Sequence, residues 1–353
     1  MTAWRAVRER LSGHSRGDLK IVILAASLHR GGGCRLLVEL ANGLARRGRT
    51  VQVVIVAGQP VVYPLETELI EIPALDASYL PPADVAIANY YSTVAPAYAA
   101  YGRRTIRLSL GFEPLWSADW QGAAATYRLP LHTLAISTWL ADLIRGASQT
   151  PVVEVVHPGV DHQIFHPPES SPDGKPPRVL YFARARSQGY AFKGGSDFLE
   201  AWTYVHERIP NAELWVTATD GVLDDPPQSE FRLVSAPDDR DLAAAYQEAS
   251  LFVSSSWFEG FGLPVLESMA SGTPVVSTDS GGVRDLVQTG LTGVLVPPRS
   301  PTTLALAIER VLTDPAFARR MAHNAERAVR GWTWDAMAAE VDRHIERVST
   351  LDA

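Results

Sequence analysis

Two glutamates eight positions apart flank a glycine-rich turn in the C-terminal half of the chain. The segment WFEGFGLPVLES places Glu259 in a loop after an apolar strand pattern and Glu267 about one helical turn past Pro264. Gly260 and Gly262 let the backbone approach a ligand, and N–H groups at a helix N-terminus attract anions. Carboxylates accept hydrogen bonds strongly from hydroxyl groups. The segment therefore predicts a site for a ligand with a phosphate part and a polyol part.

Cationic side chains follow the first apolar strand of the same half. The segment YFARARSQGYAFKGG carries Arg184, Arg186 and Lys193, the last just ahead of a predicted helix. Arginine can grip a phosphate with two N–H groups, whereas lysine acts as a compact charge. The chain has only two other lysines, Lys20 and Lys175, which favours a function for Lys193. We expect the loop to bind a diphosphate, and the alternative is a solvated loop.

A third glycine-rich turn, Gly31–Gly33, follows the apolar run at 19–27. It lacks the spacing of a dinucleotide-binding GxGxxG motif and the GK[ST] ending of a P-loop. A tight turn and a ligand contact both remain open for this segment.

Other chemistries lack support. Cys34 is the only cysteine, which excludes an internal disulfide or a zinc site of several cysteines. His157, His162 and His166 lie close in sequence, but their spacing fits no zinc pattern, so we predict structural roles. Four aromatic residues suit either sugar stacking or core and rim positions: Tyr90, Tyr91, Trp116 and Trp120.

The elements that must position these residues alternate between strand and helix on both sides of a proline-rich stretch, 166–177. This alternation predicts parallel sheets built from βαβ units. We predict an α/β chain of two Rossmann-like, doubly wound domains, residues 1–168 and 175–330, facing across a cleft that holds the ligand. Two stretches, 58–82 and 111–131, are expected to be irregular. The segment 331–353 holds a last helix that packs in the second domain or crosses back to the first.

Composition narrows the class of protein. The chain has 353 residues, of which 46% are hydrophobic and 20% are charged, as in soluble globular proteins. The net charge of −7 argues against a nucleic-acid partner.

The first residues lack an apolar core of signal-peptide length, so we expect a cytoplasmic protein. Trp4, Val7 and Leu11 recur at helical spacing among arginines, which suits a solvated lead-in or a peripheral contact with the inner membrane face.

Together the segments resemble the signature of glycosyltransferase family 4, a retaining group with the GT-B fold. The two glutamates resemble its E-x7-E motif, and residues 181–194 resemble its GR…KG diphosphate motif. HPGVDHQIF, residues 157–165, is similar to its PxGVDxxxF stretch, and TWDAMAAEV is similar to its C-terminal crossover region. The resemblance extends over most of residues 132–340.

The resemblance implies a role for each matching residue. Glu267 would bind the ribose hydroxyls of a nucleotide, and Glu259 the hydroxyls of the donor sugar. Arg184 and Lys193 would neutralise the diphosphate, whose charge grows as the glycosidic bond breaks. Further donor contacts are implied for Gly32, Gly33, Gly260, Phe261, Gly262 and Leu263. Such enzymes need no metal or cofactor, and the nucleoside-diphosphate sugar is a co-substrate.

Two positions depart from the family pattern. Ala183 replaces the glycine of the diphosphate motif. The stretch SLGFEPLW, 109–116, lacks the acceptor-side histidine and looks like a subgroup associated with rhamnosyl transfer. Glu113 is then the candidate to contact the acceptor or the sugar, as a catalytic base by hypothesis. The alternatives are that the leaving phosphate takes the proton, and that Glu113 caps a helix or forms a salt bridge.

The resemblance implies a metal-independent hexosyltransferase. We expect it to move a hexosyl group, with dTDP-rhamnose as one candidate donor, to a saccharide or a lipid-linked acceptor with retention. A sugar-nucleotide epimerase and a non-catalytic partner subunit that binds a nucleotide sugar are the alternatives.

Overall fold

The structure is a computed structural model that describes residues 19–148, 152–169, 176–218, 221–224 and 226–351. The segment with Trp4, Val7 and Leu11 lies outside the described residues, so its membrane contact stays a prediction. Contacts divide the chain into two units. The first unit comprises the described residues of Met1–Ile136, Leu140–His157 and Trp334–Ala353, and the second those of Ser137–Trp139 and Pro158–Thr333. No helix among the described residues is long and apolar enough to cross a bilayer.

The first unit is built on a seven-stranded parallel sheet with the order β3-β2-β1-β4-β5-β6-β7. Its strands are β1 (Lys20–Leu24), β2 (Thr50–Val56), β3 (Glu68–Ile72), β4 (Val85–Ala88), β5 (Thr105–Ser109), β6 (His132–Ala135) and β7 (Val152–Val155). Helices follow several strands: α1 (Gly32–Arg46), α2 (Tyr91–Tyr101), α3 (Trp120–Thr126) and α4 (Thr138–Ala147). The central strands are continuous apolar runs because both faces of the sheet are covered.

The second unit holds a six-stranded parallel sheet with the order β10-β9-β8-β11-β12-β13. Its strands are β8 (Arg178–Ala183), β9 (Glu213–Ala218), β10 (Phe231–Leu233), β11 (Leu251–Ser254), β12 (Val275–Thr278) and β13 (Val294–Val296). Its helices are α5 (Gly195–Arg208), α6 (Asp239–Glu248), α7 (Leu263–Ala270), α8 (Pro301–Thr313) and α9 (Pro315–Val329). The prediction of two doubly wound parallel sheets is confirmed. The strand order reverses between β8 and β11, where open sheets of this kind bind ligands.

The last helix, α10 (Trp334–Ser349), packs in the first unit. Its Ala338 meets α1 so closely that a Cβ on Gly43 would lie 2.7 Å from the alanine methyl. Nε of Arg49 donates to Oδ1 of Asp342 at 2.6 Å, and both side chains are buried. Small residues and a buried ion pair therefore fix this helix against the N-terminal part of the chain.

The chain passes from the first unit to the second after His157, ahead of the proline-rich stretch where the sequence suggests a linker. Residues 158–169 pack on the second unit: the N–H of Val160 donates to the carbonyl of Trp332 at 3.0 Å, and Phe165 lies edge-on to Tyr246. The expectation of irregular loops was wrong for Glu68–Ile72, which is an edge strand, and for Trp120–Thr126, which is a helix.

Candidate active site

The site in the second unit begins with an ion pair between two loops. Nζ of Lys193 lies 2.7 Å from Oε1 of Glu259, and the hydroxyl of Ser256 donates to the same oxygen at 2.7 Å. Both charged side chains are mostly buried. The ring of Phe192 lies under the ammonium at 5.3 Å from its centroid. The loops after β8 and β11 therefore hold a cation and a carboxylate together at the carboxyl edge of the sheet.

A glycine lets the loop that carries Lys193 (the lysine loop) pack closely against β11. Gly194 has a φ of 68°, and a Cβ there would lie 2.0 Å from the carbonyl oxygen of Ser255. The hydroxyl of Ser255 donates to the carbonyl of Lys193 at 3.0 Å, and the N–H of Trp257 donates to the carbonyl of Phe192 at 2.8 Å. A glycine after Lys193 is thus required for the close approach that sets the ion pair.

The two arginines of the same segment lie beside a cavity of about 260 Å³ between the loops after β8 and β9. The guanidinium of Arg184 stacks on Tyr190 at 3.9 Å from the ring centroid. Arg186 also lines the cavity, and Trp257 forms another part of its wall. The structure thus places both arginines near the lysine loop, and it adds Tyr190 and Trp257, which our sequence analysis missed.

The turn ahead of α7 has the geometry that its glycines predict. Gly262 has a φ of 104°, where a side chain would be strained, and Leu263 begins the helix with Pro264 in its first turn. Phe261 is buried and stacks on Trp332. The first N–H groups of a helix have no partner within it. The N-terminus of α7 therefore offers donors to an anion close to Glu259.

A second glycine pair, Gly281 and Gly282, packs against this turn. This pair was not identified from the sequence as part of the site. The N–H of Glu259 donates to the carbonyl of Ser280 at 2.7 Å, and the N–H of Gly282 donates to the carbonyl of Glu259 at 3.1 Å. A Cβ on Gly282 would lie 2.3 Å from the carbonyl oxygen of Gly260. The glycine pair in STDSGGVRDLV, which follows a strand, is the sequence signal that could have identified this part of the site.

Glu267 lies within α7 and is only 7% exposed. The phenol of Tyr246 donates to its Oε2 at 3.2 Å and to the carbonyl of Pro264 at 2.9 Å. Burial and the adjacent carboxylate raise the pKa of Tyr246 far above its usual value, so the phenol stays a donor. Tyr246 therefore orients one oxygen of Glu267.

The first unit holds the remaining predicted residues. Gly32 and Gly33 begin α1 directly after the β1 loop. A Cβ on Gly33 would lie 3.2 Å from the side chain of Leu110, and the phenol of Tyr63 accepts from the N–H of Gly31 at 3.1 Å. The tight turn is thus observed, and a ligand contact of Gly32 and Gly33 stays a prediction.

Glu113 is buried, with 2% of its surface exposed. Its Oε2 accepts from Nη2 of Arg107 at 3.1 Å and from the phenol of Tyr127 at 2.5 Å. The guanidinium of Arg107 also stacks on the Tyr127 ring and donates to Thr126 at 2.6 Å. The geometry favours the ion-pairing alternative for Glu113 over a catalytic base, because its carboxylate is enclosed by donors that fix the loop after β5.

The site in the second unit therefore combines cations, a helix N-terminus and two carboxylates along one sheet edge. Cations and helix N–H groups stabilise phosphate, whereas the carboxylates accept hydrogen bonds from hydroxyls. This arrangement suits a ligand that carries both groups.

Part of the chain is similar to known proteins. Residues 176–314 match the family model described as glycosyl transferases group 1. The lipopolysaccharide core biosynthesis mannosyltransferase LpcC of Rhizobium leguminosarum bv. viciae is 34% identical over 197 residues, which cover 50% of this chain and 54% of that protein. A glycogen synthase of Mycobacterium tuberculosis is 31% identical over 195 residues, covering 53% and 46%. The chain thus spans about half the length of these curated relatives.

Solved structures share the fold over nearly the whole chain. Sucrose-phosphate synthase from Thermosynechococcus elongatus has a TM-score of 0.75 at 20% identity, covering 94% of this chain and 99% of the other. Anabaena Alr3699/HepE, solved in complex with UDP and glucose, has a TM-score of 0.73 at 18% identity, covering 93% and 100%. The chain has the fold of the GT-B glycosyltransferases, and its residues 176–314 match the glycosyl transferases of group 1.

Proposed function

We propose that this protein transfers a hexosyl group from a nucleoside-diphosphate sugar to a saccharide or a lipid-linked acceptor. The observation that carries the proposal is the Lys193–Glu259 pair beside the N-terminus of α7. A nucleoside-diphosphate sugar carries both phosphates and hydroxyl groups. The cations at this sheet edge can bind the phosphates, and the carboxylates can accept hydrogen bonds from the hydroxyls. The nucleotide named with Anabaena HepE and the envelope glycan named with LpcC support a donor and an acceptor of these classes.

In this proposal each residue acts on one part of the donor. Lys193 and Arg184 stabilise the diphosphate as the bond from the sugar carbon to the phosphate oxygen breaks. Glu259 accepts hydrogen bonds from sugar hydroxyls, and Glu267 from those of the ribose. The new bond forms to an acceptor oxygen, whose proton passes to the leaving diphosphate, so Glu113 is not needed as a base. The positive charge comes from side chains and helix N–H groups, so we propose no metal in this step.

Finer features are also proposals. Membership of family 4 and retention rest on the E-x7-E resemblance, and rhamnosyl transfer rests on SLGFEPLW alone. The named relatives include a mannosyltransferase and a glycogen synthase, so the donor panel must be broad. An epimerase lacks support among them. A non-catalytic partner is disfavoured by the intact set of Arg184, Lys193, Glu259 and Glu267.

A transfer assay tests the proposal. The full chain is incubated with UDP-glucose, GDP-mannose or dTDP-rhamnose and a panel of saccharide and lipid-linked acceptors, and products are analysed by mass spectrometry and NMR. We expect one donor to yield a glycoside with the donor's anomeric configuration. An epimerised donor without an acceptor would establish the epimerase alternative, and nucleotide binding without turnover across the panel would establish the partner subunit.

A further inference from the structure

Two buried histidines and a glutamate meet in the first unit. His132 begins β6, Glu154 lies on the adjacent β7, and His344 lies on α10. Nε2 of His132 lies 3.0 Å from Nδ1 of His344. Oε1 of Glu154 lies 4.0 Å from the first nitrogen and 3.9 Å from the second. One potential ligand atom from each of three elements therefore faces a common point.

The three distances have a geometric consequence. The circle through a triangle with these sides has a radius of about 2.1 Å, which is the length of a zinc–nitrogen or zinc–oxygen bond. An ion at its centre would lie about 2.1 Å from each of the three atoms. A fourth ligand would approach from outside the plane of these atoms.

Charged neighbours orient the ligands as they do around metal ions. Oε1 of Glu340 lies 3.5 Å from Nε2 of His344, so it can hold the proton on that nitrogen and leave Nδ1 with a lone pair. Nη1 of Arg347 donates to Oε1 of Glu154 at 2.6 Å, which fixes the carboxylate and leaves it a second lone pair. Arg347 pairs with Glu154 and Arg343 pairs with Glu340, so the two carboxylates and the two guanidinium groups balance each other around the histidines.

Both imidazoles are buried in the first unit. His132 is 8% exposed and His344 is 2% exposed. Nε2 of His132 and Nδ1 of His344 lie within hydrogen-bond distance of each other, so one N–H lies between these two nitrogens. A metal ion bound to both nitrogens would displace that proton to Nδ1 of His132, which remains a neutral imidazole.

We propose that His132, Glu154 and His344 form a Zn²⁺ site that fastens α10 to the sheet of the first unit. Two imidazoles and a carboxylate are a ligand set that zinc uses, with the fourth position open to water. The helix follows the whole second unit in the chain, so the ion would join sequence-distant parts of the first unit. The site is separate from the proposed donor site, which lies in the second unit.

Zinc titration tests the site in the full chain. Protein freed of metal by a chelator, then freed of the chelator, is titrated with ZnCl₂ by calorimetry and by thermal unfolding. We expect one equivalent to bind and to raise the unfolding temperature, because an ion that binds the folded state stabilises it. His132→Gln and His344→Gln should each weaken the affinity at least about tenfold, since each loses a direct ligand.

Two control variants separate this site from other zinc ligands. His323→Gln removes an exposed histidine of α9. Cys34→Ser removes a thiol that lies 3.8 Å from the imidazole of His29. Both should bind zinc as the unmodified chain does, and Co²⁺ substitution should show no thiolate charge-transfer band.

The proposal is overturned by the absence of stoichiometric binding, by binding that survives both histidine substitutions, or by binding that is lost in Cys34→Ser. If a histidine variant loses its circular-dichroism signal, Glu154→Gln decides the question. Its side chain is 38% exposed, so we expect this variant to fold and to lose zinc affinity.

Discussion

Nζ of Lys193 lies 2.7 Å from Oε1 of Glu259, although the two residues are 66 positions apart in the chain. Their loops follow β8 and β11, which pair as neighbours in the middle of the second sheet. Because the strands are parallel, both loops leave the same edge. The pair holds its cation in place before an anionic ligand arrives, which reduces the reorganisation that binding would require.

Lys193→Ala should reduce sugar transfer by about 100-fold or more, the usual effect of removing one group that stabilises a developing negative charge. The loss is expected in the turnover rate more than in the affinity for the acceptor. Steady-state kinetics with the donor found by the panel measure both. Arg319→Ala, which removes an equal charge from an exposed face of α9, should leave transfer unchanged. Equal activity of Lys193→Ala and the unmodified chain would remove Lys193 from the mechanism.

Gly282→Ala should lower the free energy of unfolding by about 1–3 kcal/mol, the usual cost of overpacking. Its Cβ would lie 2.3 Å from the carbonyl oxygen of Gly260 and 2.6 Å from the N–H nitrogen of Phe261, so the turn ahead of α7 must shift. Urea unfolding measures the loss, and nucleotide binding should weaken with it. Gly331→Ala is the matched control, because a Cβ there meets nothing within 4 Å. Identical stability of the two variants would show that the glycine pair does not shape the turn.

Much of this site could be predicted from local sequence. The spacing of Glu259, Gly262 and Glu267 follows from one strand-to-helix turn, and Lys193 precedes a glycine that must approach β11. The partner of Glu113 was beyond such reasoning, because burial of its charge depends on Tyr127 and Arg107 together.

Non-local features were harder to predict. The edge strand at Glu68–Ile72 reads ELIEI, so two glutamates interrupt its apolar residues and it lacks the continuous apolar run of the central strands. His132 and His344 are 212 positions apart, and no motif links them. Such contacts arise from topology, whereas a turn is encoded by its own residues.

Glu113→Ala should destabilise the chain by about 3 kcal/mol or more, because it leaves Arg107 charged, buried and without this partner. Glu113→Gln keeps the shape of the side chain and an oxygen that accepts from Tyr127. We expect it to retain transfer, with a pH–rate profile like that of the unmodified chain. A folded Glu113→Gln protein that has lost transfer would restore Glu113 as the base.

Cys34, the only cysteine, reports on the predicted contact of Gly32 and Gly33 with the donor. Burial raises the pKa of its thiol from 9.0, so alkylation by iodoacetamide should be slow at pH 7.5 and should accelerate as the pH rises through the raised pKa. The thiolate is the reactive form, which sets the sign of this dependence. Mass spectrometry measures the rate. A bound nucleoside-diphosphate sugar should slow it further, and an unchanged rate at donor saturation would argue against a contact at Gly32 and Gly33.

Nucleotide binding tests the central claim most directly. Calorimetry and thermal unfolding with UDP, GDP, ADP and dTDP are compared for the unmodified chain, Glu267→Ala and Tyr246→Phe. We predict that one diphosphate binds selectively and, at a hundred times its Kd, adds about 2.7 kcal/mol to the free energy of unfolding. Glu267→Ala should weaken binding by at least about tenfold, the cost of a lost hydrogen bond to a charged group. Tyr246→Phe should have a smaller effect, because Tyr246 only orients Glu267. Absence of binding by all four diphosphates, or an affinity that is unchanged in Glu267→Ala, would contradict the assignment of the donor site to the second unit.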